Sequence, residues 1–182
     1  MRFTPTKLDG VIEITPALYE DDRGYFYESY NINLFKEHGI TEEFVQDNQS
    51  FSWKGVIRGL HFQREPYAQG KLVRVLSGAV LDVVVDIRPD SPTFGQHACF
   101  ELNGENRKML YVPPGFAHGF STLEDAVFSY KCTNVYHKAS EGGILYNDPI
   151  LNIDWRIADP ELSGKDLELP DFTALKASVN KL

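Results

Sequence analysis

Apolar and polar positions alternate along much of the middle of this chain. The clearest run is 80–87, with Leu, Val or Ile at every odd position and Asp82 and Asp86 among the even ones. A period of two is typical of a β-strand, because successive side chains point to opposite faces. The two aspartates predict either a partly polar interior, as in a barrel with a ligand cavity, or an ordinary solvent-facing surface.

Similar short patterns recur on both sides of this run, and turn signals rich in Pro, Gly and Asn separate them. They predict further strands at 11–15, 25–30, 44–48, 56–63, 71–76, 97–102, 108–112 and 127–133. Helix is scarce, and we predict it only at 33–38, before Gly39, and at 172–179. Many short strands at this spacing are typical of an antiparallel barrel or jelly roll.

Length and composition narrow the class of protein. A chain of 182 residues with 42% apolar residues fits a single domain with a substantial core. The net charge of -8 argues against a nucleic-acid-binding protein, which normally carries a basic face. Residues 1–15 lack the apolar stretch of a signal peptide, and no window approaches the ~20 apolar residues that span a bilayer. We therefore expect a cytoplasmic protein without nucleic-acid or membrane partners, and we expect Cys99 and Cys132 to be reduced packing residues.

Two short motifs, RGLHFQ at 58–63 and PPGFAHG at 113–119, resemble the hairpins of a metal-binding cupin barrel but lack half of the metal ligands. A metal cupin presents His-x-His and a Glu on its first hairpin and another His on its second. Here Gln63 replaces the second His and Lys71 replaces the Glu, and an ammonium group repels a cation. The sequence thus predicts a site for an anion rather than a metal. Its remaining members are His61, Gln63, Lys71 and His118.

Seven longer strings occur in the order found in one enzyme family. They lie at 22–28, 45–48, 58–63, 69–75, 82–88 with 91–95, 113–120 and 163–166. Through them the chain resembles the dTDP-4-dehydrorhamnose 3,5-epimerase family over about residues 5–170. The resemblance implies an all-β, cupin-type antiparallel jelly-roll barrel with a few short peripheral helices.

The same resemblance implies a single epimerase domain over 1–182. N-terminal strands within 1–50 would contribute to a dimer, 51–150 would form the barrel core, and the C-terminal segment 151–182 would supply Asp166.

The family inverts the two carbons that flank the C4 ketone of dTDP-4-dehydro-6-deoxy-D-glucose, giving dTDP-4-dehydro-L-rhamnose. Each inversion removes a proton next to the carbonyl and returns one on the opposite face. The reaction therefore requires a base, an acid and a group that holds the enolate oxygen. Because the ketone is itself the electron sink, no cofactor and no metal is required.

The resemblance assigns the chemistry to four residues. His61 corresponds to the base, and Asp166 would hydrogen-bond the other nitrogen of its ring. Tyr130 corresponds to the proton donor, and Lys71 would stabilise the developing negative charge.

The resemblance also implies a set of contacts to the dTDP-sugar substrate. Arg23 and Arg58 would hold the diphosphate, and Tyr136 would stack on thymine. Asp82 would position either His118 or the sugar. The remaining contacts would come from Phe26, Glu28, Gln46, Asn48, Gln63, His118, Glu141 and Lys165. By contrast, His38, His97 and His137 lie outside the motifs and are interpreted as surface or packing residues.

Members of this family exchange N-terminal strands between two subunits, so that Arg23, Phe26 and Glu28 complete the pocket of the partner. The resemblance therefore implies a homodimer with exchanged N-terminal strands. The alternative is that 25–30 forms an ordinary edge strand of its own subunit.

Several related activities remain open on the sequence. Val135 stands where many relatives have a second tyrosine, Tyr146 stands where they have Trp, and the loop 122–125 is one residue short. An enzyme that epimerises one carbon of a dTDP-4-ketosugar, or a 3,4-ketoisomerase, fits much of the same sequence. A metal-dependent cupin oxygenase or isomerase is disfavoured by Gln63 and Lys71. A non-catalytic sugar-nucleotide binder would keep the pocket without needing a base.

Overall fold

Antiparallel strands make up most of the computed structural model, which describes residues 1–179. The strands are β1 (Arg2–Pro5), β2 (Ile12–Thr15), β3 (Tyr19–Asp21), β4 (Gly24–Phe26), β5 (Gln46–Ser52), β6 (Ile57–Gln63), β7 (Lys71–Asp86), β8 (His97–Asn103), β9 (Met109–Val112), β10 (Phe116–Cys132) and β11 (Glu141–Gly143). The helices are α1 (Ile32–Glu37), α2 (Gly164–Leu167) and α3 (Phe172–Val179), with a 3-10 turn at Lys138–Ser140. The predicted all-β class with short helices is confirmed.

Two long strands, β7 and β10, join two sheets. The first part of β7 pairs with β9 and its second part pairs with β8, while β10 runs antiparallel to β7 along both parts. One sheet therefore has the order β1-β2-β9-β7-β10-β5, and the other has the order β8-β7-β10-β6-β11. At the bend of β7, Gly78 has φ +75°, and a Cβ there would lie 2.0 Å from the backbone oxygen of Asp125. Glycine lets the two strands cross closely at this point.

The space between the two sheets is filled by an apolar cluster that includes Val73 and Val75 from one sheet and Val80, Val84 and Phe120 from the other. Even positions of 80–87 face this interior, so the face that carries Asp82 is the partly polar interior and not a solvent-facing surface. The odd positions of this run face the opposite side of the sheet, which the C-terminal segment covers. This part of β7 is therefore buried on both faces.

That C-terminal segment packs on the outer face of the second sheet through Trp155, Phe172 and Leu175. The buried carboxylate of Asp148 fixes it, accepting hydrogen bonds from the backbone N–H groups of Leu151 at 3.0 Å and Phe172 at 2.7 Å. The segment thereby carries α2 back to the barrel. No helix within residues 1–179 has the length and apolar character needed to cross a membrane.

Several predicted elements differ from the observed ones. The predicted strands 71–76 and 80–87 lie, except for Ile87, within the single strand β7, and 127–133, except for Thr133, is the end of β10. The strand predicted at 25–30 is wrong beyond Phe26, because Tyr30 packs against Phe35 and Asn31 caps α1 by accepting from two backbone N–H groups. The expectation of packing is also wrong for Cys99, which is exposed on the edge strand β8, while both cysteines are free thiols.

Candidate active site

Two adjoining cavities open at the barrel, with volumes of about 640 Å³ and about 290 Å³. Three of the predicted catalytic residues, His61, Lys71 and Tyr130, line both. The larger cavity is also lined by Arg58, His118, Lys165 and Asp166, and the smaller one by Gln46, Asn48, Gln63, Tyr136 and Glu141. The structure thus gathers most of the predicted site residues around one space.

A β-bulge brings Arg58 and His61 to the same face of β6. In strict alternation, residues three apart would face opposite sides of a strand. Here His61 lies opposite His118 and Arg58 opposite Phe120, so β6 uses one residue more than β10 over this stretch. Gly59 lies within the bulge at φ +120°, and a Cβ there would approach a backbone atom of β10 to 2.6 Å. The glycine therefore allows the change of phase that turns both side chains into the cavity.

The imidazole of His61 is held by Asp166, with 2.6 Å between Nε2 and Oδ1. Asp166 lies in α2, and its backbone N–H donates to the hydroxyl of Ser163 at 3.1 Å. Burial opposes ionisation of Asp166, but hydrogen bonds from His61, Ser163 and the backbone of Gly59 outweigh it, so the pKa of this carboxyl lies below its usual value. An ionised Asp166 accepts a hydrogen bond from Nε2–H of His61, which leaves Nδ1 with the lone pair of a base.

A second imidazole and carboxylate lie deeper in the barrel. His118 Nε2 is 2.8 Å from Asp82 Oδ2, and both side chains are buried. Asp82 thus contacts His118, the first of its two predicted partners, and lies behind the cavity lining. Over residues 1–179, the other oxygen of Asp82 has no hydrogen-bond partner, and no group of three or more His, Cys, Asp or Glu side chains is arranged to hold a metal ion.

Tyr130 and Lys71 have altered proton affinities. Burial raises the pKa of the Tyr130 phenol, and Cys132 adds to this effect while Arg58 opposes it. The phenol therefore keeps its proton at neutral pH. Burial lowers the pKa of the Lys71 ammonium, against weaker opposing effects of Cys132, Asp82 and Glu141. Lys71 consequently gives up a proton more readily than a surface lysine does.

A loop on the rim of the smaller cavity carries Tyr136, whose ring is half exposed. Two glutamines fix this loop: Gln46 Oε1 accepts from the backbone N–H of Tyr136 at 2.9 Å, and Gln63 Oε1 accepts from that of His137 at 3.1 Å. The Tyr136 hydroxyl donates to Glu141 Oε2 at 2.9 Å. Sequence reasoning identified both glutamines but missed their structural role, because no sequence signal shows which polar side chain faces a backbone.

Three predicted residues, Arg23, Phe26 and Glu28, do not line either cavity of their own subunit. They lie on or just after the hairpin of β3 and β4, a separate two-stranded sheet. Arg23 pairs with Asp21 at 2.5 Å, and Phe26 is 68% exposed. Within one chain these residues therefore lie outside the two cavities that His61 lines.

Sequence reasoning also missed part of the cavity wall. Phe51, Trp53 and Leu162 line the larger cavity, and the hydroxyl of Ser52 accepts from Arg58 Nε at 2.9 Å. Ser52 is at an even, inward-facing position of β5, but the predicted strand stopped at 48. Phe51 and Trp53 are at odd, exposed positions, so alternation along β5 gave no signal for them. As predicted, His38, His97 and His137 lie outside both cavities.

Comparison with known proteins agrees with this arrangement. The sequence model of the dTDP-4-dehydrorhamnose 3,5-epimerase family matches residues 5–174. The chain is 51% identical over 174 residues to the dTDP-4-dehydrorhamnose 3,5-epimerase of Shigella flexneri, covering 94% of this chain and 96% of that protein.

Solved structures share the fold. The dTDP-6-deoxy-D-glucose-3,5-epimerase of Legionella pneumophila, in complex with dTDP-4-keto-L-rhamnose, is 48% identical with a TM-score of 0.93, covering 98% of this chain and 96% of that one. A 3'-monoepimerase of Streptomyces bikiniensis, in complex with dTDP-quinovose, is 30% identical with a TM-score of 0.90, covering 96% and 90%. The predicted cupin-type jelly roll is thereby confirmed. The chain belongs to the dTDP-4-dehydrorhamnose 3,5-epimerase family.

Proposed function

We propose that this protein is an isomerase that inverts C3 and C5 of dTDP-4-dehydro-6-deoxy-D-glucose and releases dTDP-4-dehydro-L-rhamnose. One arrangement carries the proposal: an imidazole oriented by an ionised carboxylate lines the same cavity as a neutral phenol and the amino group of Lys71. These are the base, the acid and the enolate-stabilising group that an epimerisation next to a ketone requires.

In each inversion, Nδ1 of His61 removes the proton from the carbon next to the C4 ketone. The electron pair of the C–H bond forms the enolate double bond, and negative charge develops on the C4 oxygen beside Lys71 and His118. The Tyr130 hydroxyl then donates its proton to the carbon from the opposite face. Because its pKa is raised, the resulting phenoxide readily regains a proton, and His61 loses one to solvent before the second inversion.

The nucleotide would be held at the rim of the cavities. Tyr136 offers an exposed ring for stacking on thymine, and Arg58 offers a guanidinium for the diphosphate. We assign the missing contacts to a second copy of the chain, whose Arg23, Phe26 and Glu28 would complete the site in a homodimer with exchanged N-terminal strands. The exposed aromatic side chains of the β3–β4 hairpin, Tyr19, Tyr25 and Phe26, support this assignment.

We also propose that both carbons are inverted, and not C3 alone. The sequence identity is 51% and 48% to two enzymes named as 3,5-epimerases, and 30% to a 3'-monoepimerase of the same fold. The higher identity to the former favours inversion at both carbons.

Isotope exchange tests the reaction directly. The protein is incubated with dTDP-4-dehydro-6-deoxy-D-glucose in heavy water, and the product is analysed by NMR. We expect deuterium at both C3 and C5 and an inverted configuration at each. Label at C3 alone would support a single-carbon epimerase, a shifted carbonyl signal would support a 3,4-ketoisomerase, and binding without exchange would leave only a sugar-nucleotide binder.

A further inference from the structure

Arg58 and Ser52 belong to different sheets and meet beside the larger cavity, which both of them line. Ser52 is the last residue of β5 and pairs with Ala126 of β10, while Arg58 of β6 pairs with Phe120 of the same strand. The Ser52 hydroxyl accepts a hydrogen bond from Arg58 Nε at 2.9 Å, and the backbone oxygen of Phe51 accepts one from Nη2 at 3.1 Å. Two acceptors on one sheet therefore hold a guanidinium that the other sheet carries.

The short connection between β5 and β6 is itself fixed to neighbouring segments. The backbone N–H of Gly55 donates to the carbonyl of Thr122 at 2.9 Å, and the carbonyl of Gly55 accepts from the backbone N–H of Glu161 at 3.0 Å. Ser52 is buried, whereas Arg58 is exposed. A buried acceptor in a fixed hairpin thus restrains a long side chain that would otherwise sample many rotamers.

The two contacts occupy one edge of the Arg58 guanidinium. An arginine side chain has five N–H groups, one on Nε and two on each terminal nitrogen. Nε and Nη2 form the side edge of the group, which donates to Ser52 and to the Phe51 carbonyl. These contacts do not use the end edge, where one N–H of Nη1 and one of Nη2 can donate to two oxygens of a phosphate. The arrangement therefore favours end-on binding of a phosphate.

Arg58 also lies within electrostatic reach of the proposed acid. Burial raises the pKa of the Tyr130 phenol, and the charge of Arg58 opposes this effect. In a dTDP-sugar the diphosphate joins C1 of the sugar to the nucleoside. A cation held beside the group that reacts with the sugar is therefore well placed for the diphosphate that follows it.

We propose that Ser52 is a positioning residue that fixes the guanidinium of Arg58 end-on towards the diphosphate of the substrate. This inference rests on the proposed function, in which Arg58 holds that diphosphate, and it adds a residue that acts only through Arg58. Ser52 orients the guanidinium before the substrate arrives, so binding does not have to restrict a flexible side chain. The hydroxyl of Ser52 does not itself contact the substrate.

A double-variant cycle tests this inference. Ser52→Ala should weaken the calorimetric affinity for dTDP about 3- to 10-fold, because binding must then restrict the guanidinium. KM should rise by a similar factor with kcat within about threefold of the wild type, because the base and the acid are unchanged. In an Arg58→Met background, Ser52→Ala should change the affinity for dTDP less than about twofold, since the guanidinium through which it acts is gone. Thymidine, which has no phosphate, should bind Ser52→Ala within about twofold of the wild type in an NMR titration.

The matched control is Ser50→Ala. Ser50 lies on the same inward face of β5 and lines the same cavity. Whatever Ser50→Ala costs in affinity for dTDP should be the same in the wild-type and Arg58→Met backgrounds, because independent substitutions add.

Two results with Ser52→Ala would overturn the proposal. Losses that add in the double variant would indicate direct contact between Ser52 and the substrate, and a lower Tm with unchanged affinity for dTDP would indicate a purely structural bond between the sheets. If Ser52→Ala does not fold, Arg58→Lys decides, because it keeps the charge without the fork and should bind dTDP about as weakly as Arg58→Met. Wild-type affinity in Arg58→Lys would contradict a fixed fork. Failure of the proposed function is a separate result, in which the wild type itself incorporates no deuterium.

Discussion

At the scale of single residues, the cavity provides two groups that hold protons differently. Ionised Asp166 accepts a hydrogen bond from the Nε2–H of His61, which leaves Nδ1 as a proton acceptor. Burial keeps the phenol of Tyr130 protonated, which makes it a proton donor. His61 and Tyr130 can thus act as acceptor and donor of protons on one ketosugar because their surroundings differ in charge and in burial.

Tyr130→Phe should separate these roles. Without the phenol, His61 still removes protons and can return deuterons to the same face, so unreacted substrate should continue to gain deuterium in heavy water. Formation of the inverted product should fall about 10²- to 10⁴-fold, the usual contribution of a general acid. NMR of substrate and product recovered from one reaction measures both.

Two comparisons make this outcome specific. His61→Ala should lose exchange and inversion together while its circular dichroism stays that of the wild type. Tyr30→Phe removes the hydroxyl from a ring that packs against Phe44 outside the cavities, and this variant should retain activity. Equal loss of exchange and inversion in a folded Tyr130→Phe protein would contradict a separate acid.

At the scale of elements, the bulge in β6 decides which side chains reach the cavity. Gly59 and Gly55 both have positive φ, but they differ in their surroundings. A Cβ at Gly59 would meet backbone atoms of β10, whereas a Cβ at Gly55 would have nothing within 4 Å. Alanine substitutions at these two glycines therefore separate the cost of the backbone conformation from the cost of close approach to β10.

Gly55→Ala should cost about 1 kcal/mol of unfolding free energy, from the left-handed conformation alone. Gly59→Ala should cost about 3 kcal/mol or more, because β10 must also move, and it should reduce activity by displacing Arg58 and His61. Urea unfolding measures the two losses. Equal losses would mean that the contact with β10 contributes nothing.

The same bulge shows where sequence reasoning ends. Alternation in 80–87 predicted a strand with two distinct faces, and the structure confirms both. Alternation in 56–63 predicted the strand but not its change of phase, because a bulge depends on the facing strand and not on local pattern. Helix α2 was missed because four residues are too few for any periodicity, although its Asp166 was identified from the motif.

At the scale of the whole molecule, one chain lacks part of its own proposed site. The cavity residues could be predicted because they lie within recognisable sequence motifs. The position of the β3–β4 hairpin could not, because it depends on what the hairpin packs against. Within the described chain, this hairpin pairs with no other strand, and its Tyr19 and Tyr25 are 65% and 56% exposed. A second subunit that accepts the hairpin would explain both features.

Mixing inactive variants tests this directly. In an exchanged dimer each site combines His61 of one subunit with Arg23 of the other. Arg23→Ala and His61→Ala homodimers should both be weakly active or inactive, because every site carries a lesion. Refolded together in equal amounts, half of the dimers would be mixed and each would contain one intact site, so activity should recover to about a quarter of the wild type.

The control mixes His61→Ala with Tyr130→Phe. Both side chains line the cavities of their own subunit, so a mixed dimer has no intact site and should show no recovery. Differently tagged subunits confirm that mixed dimers form in both experiments. If mixed dimers form and the mixture of Arg23→Ala with His61→Ala stays inactive, the hairpin does not complete the neighbouring site. The exposed aromatic side chains of β3 and β4 would then belong to an interface outside the site of His61.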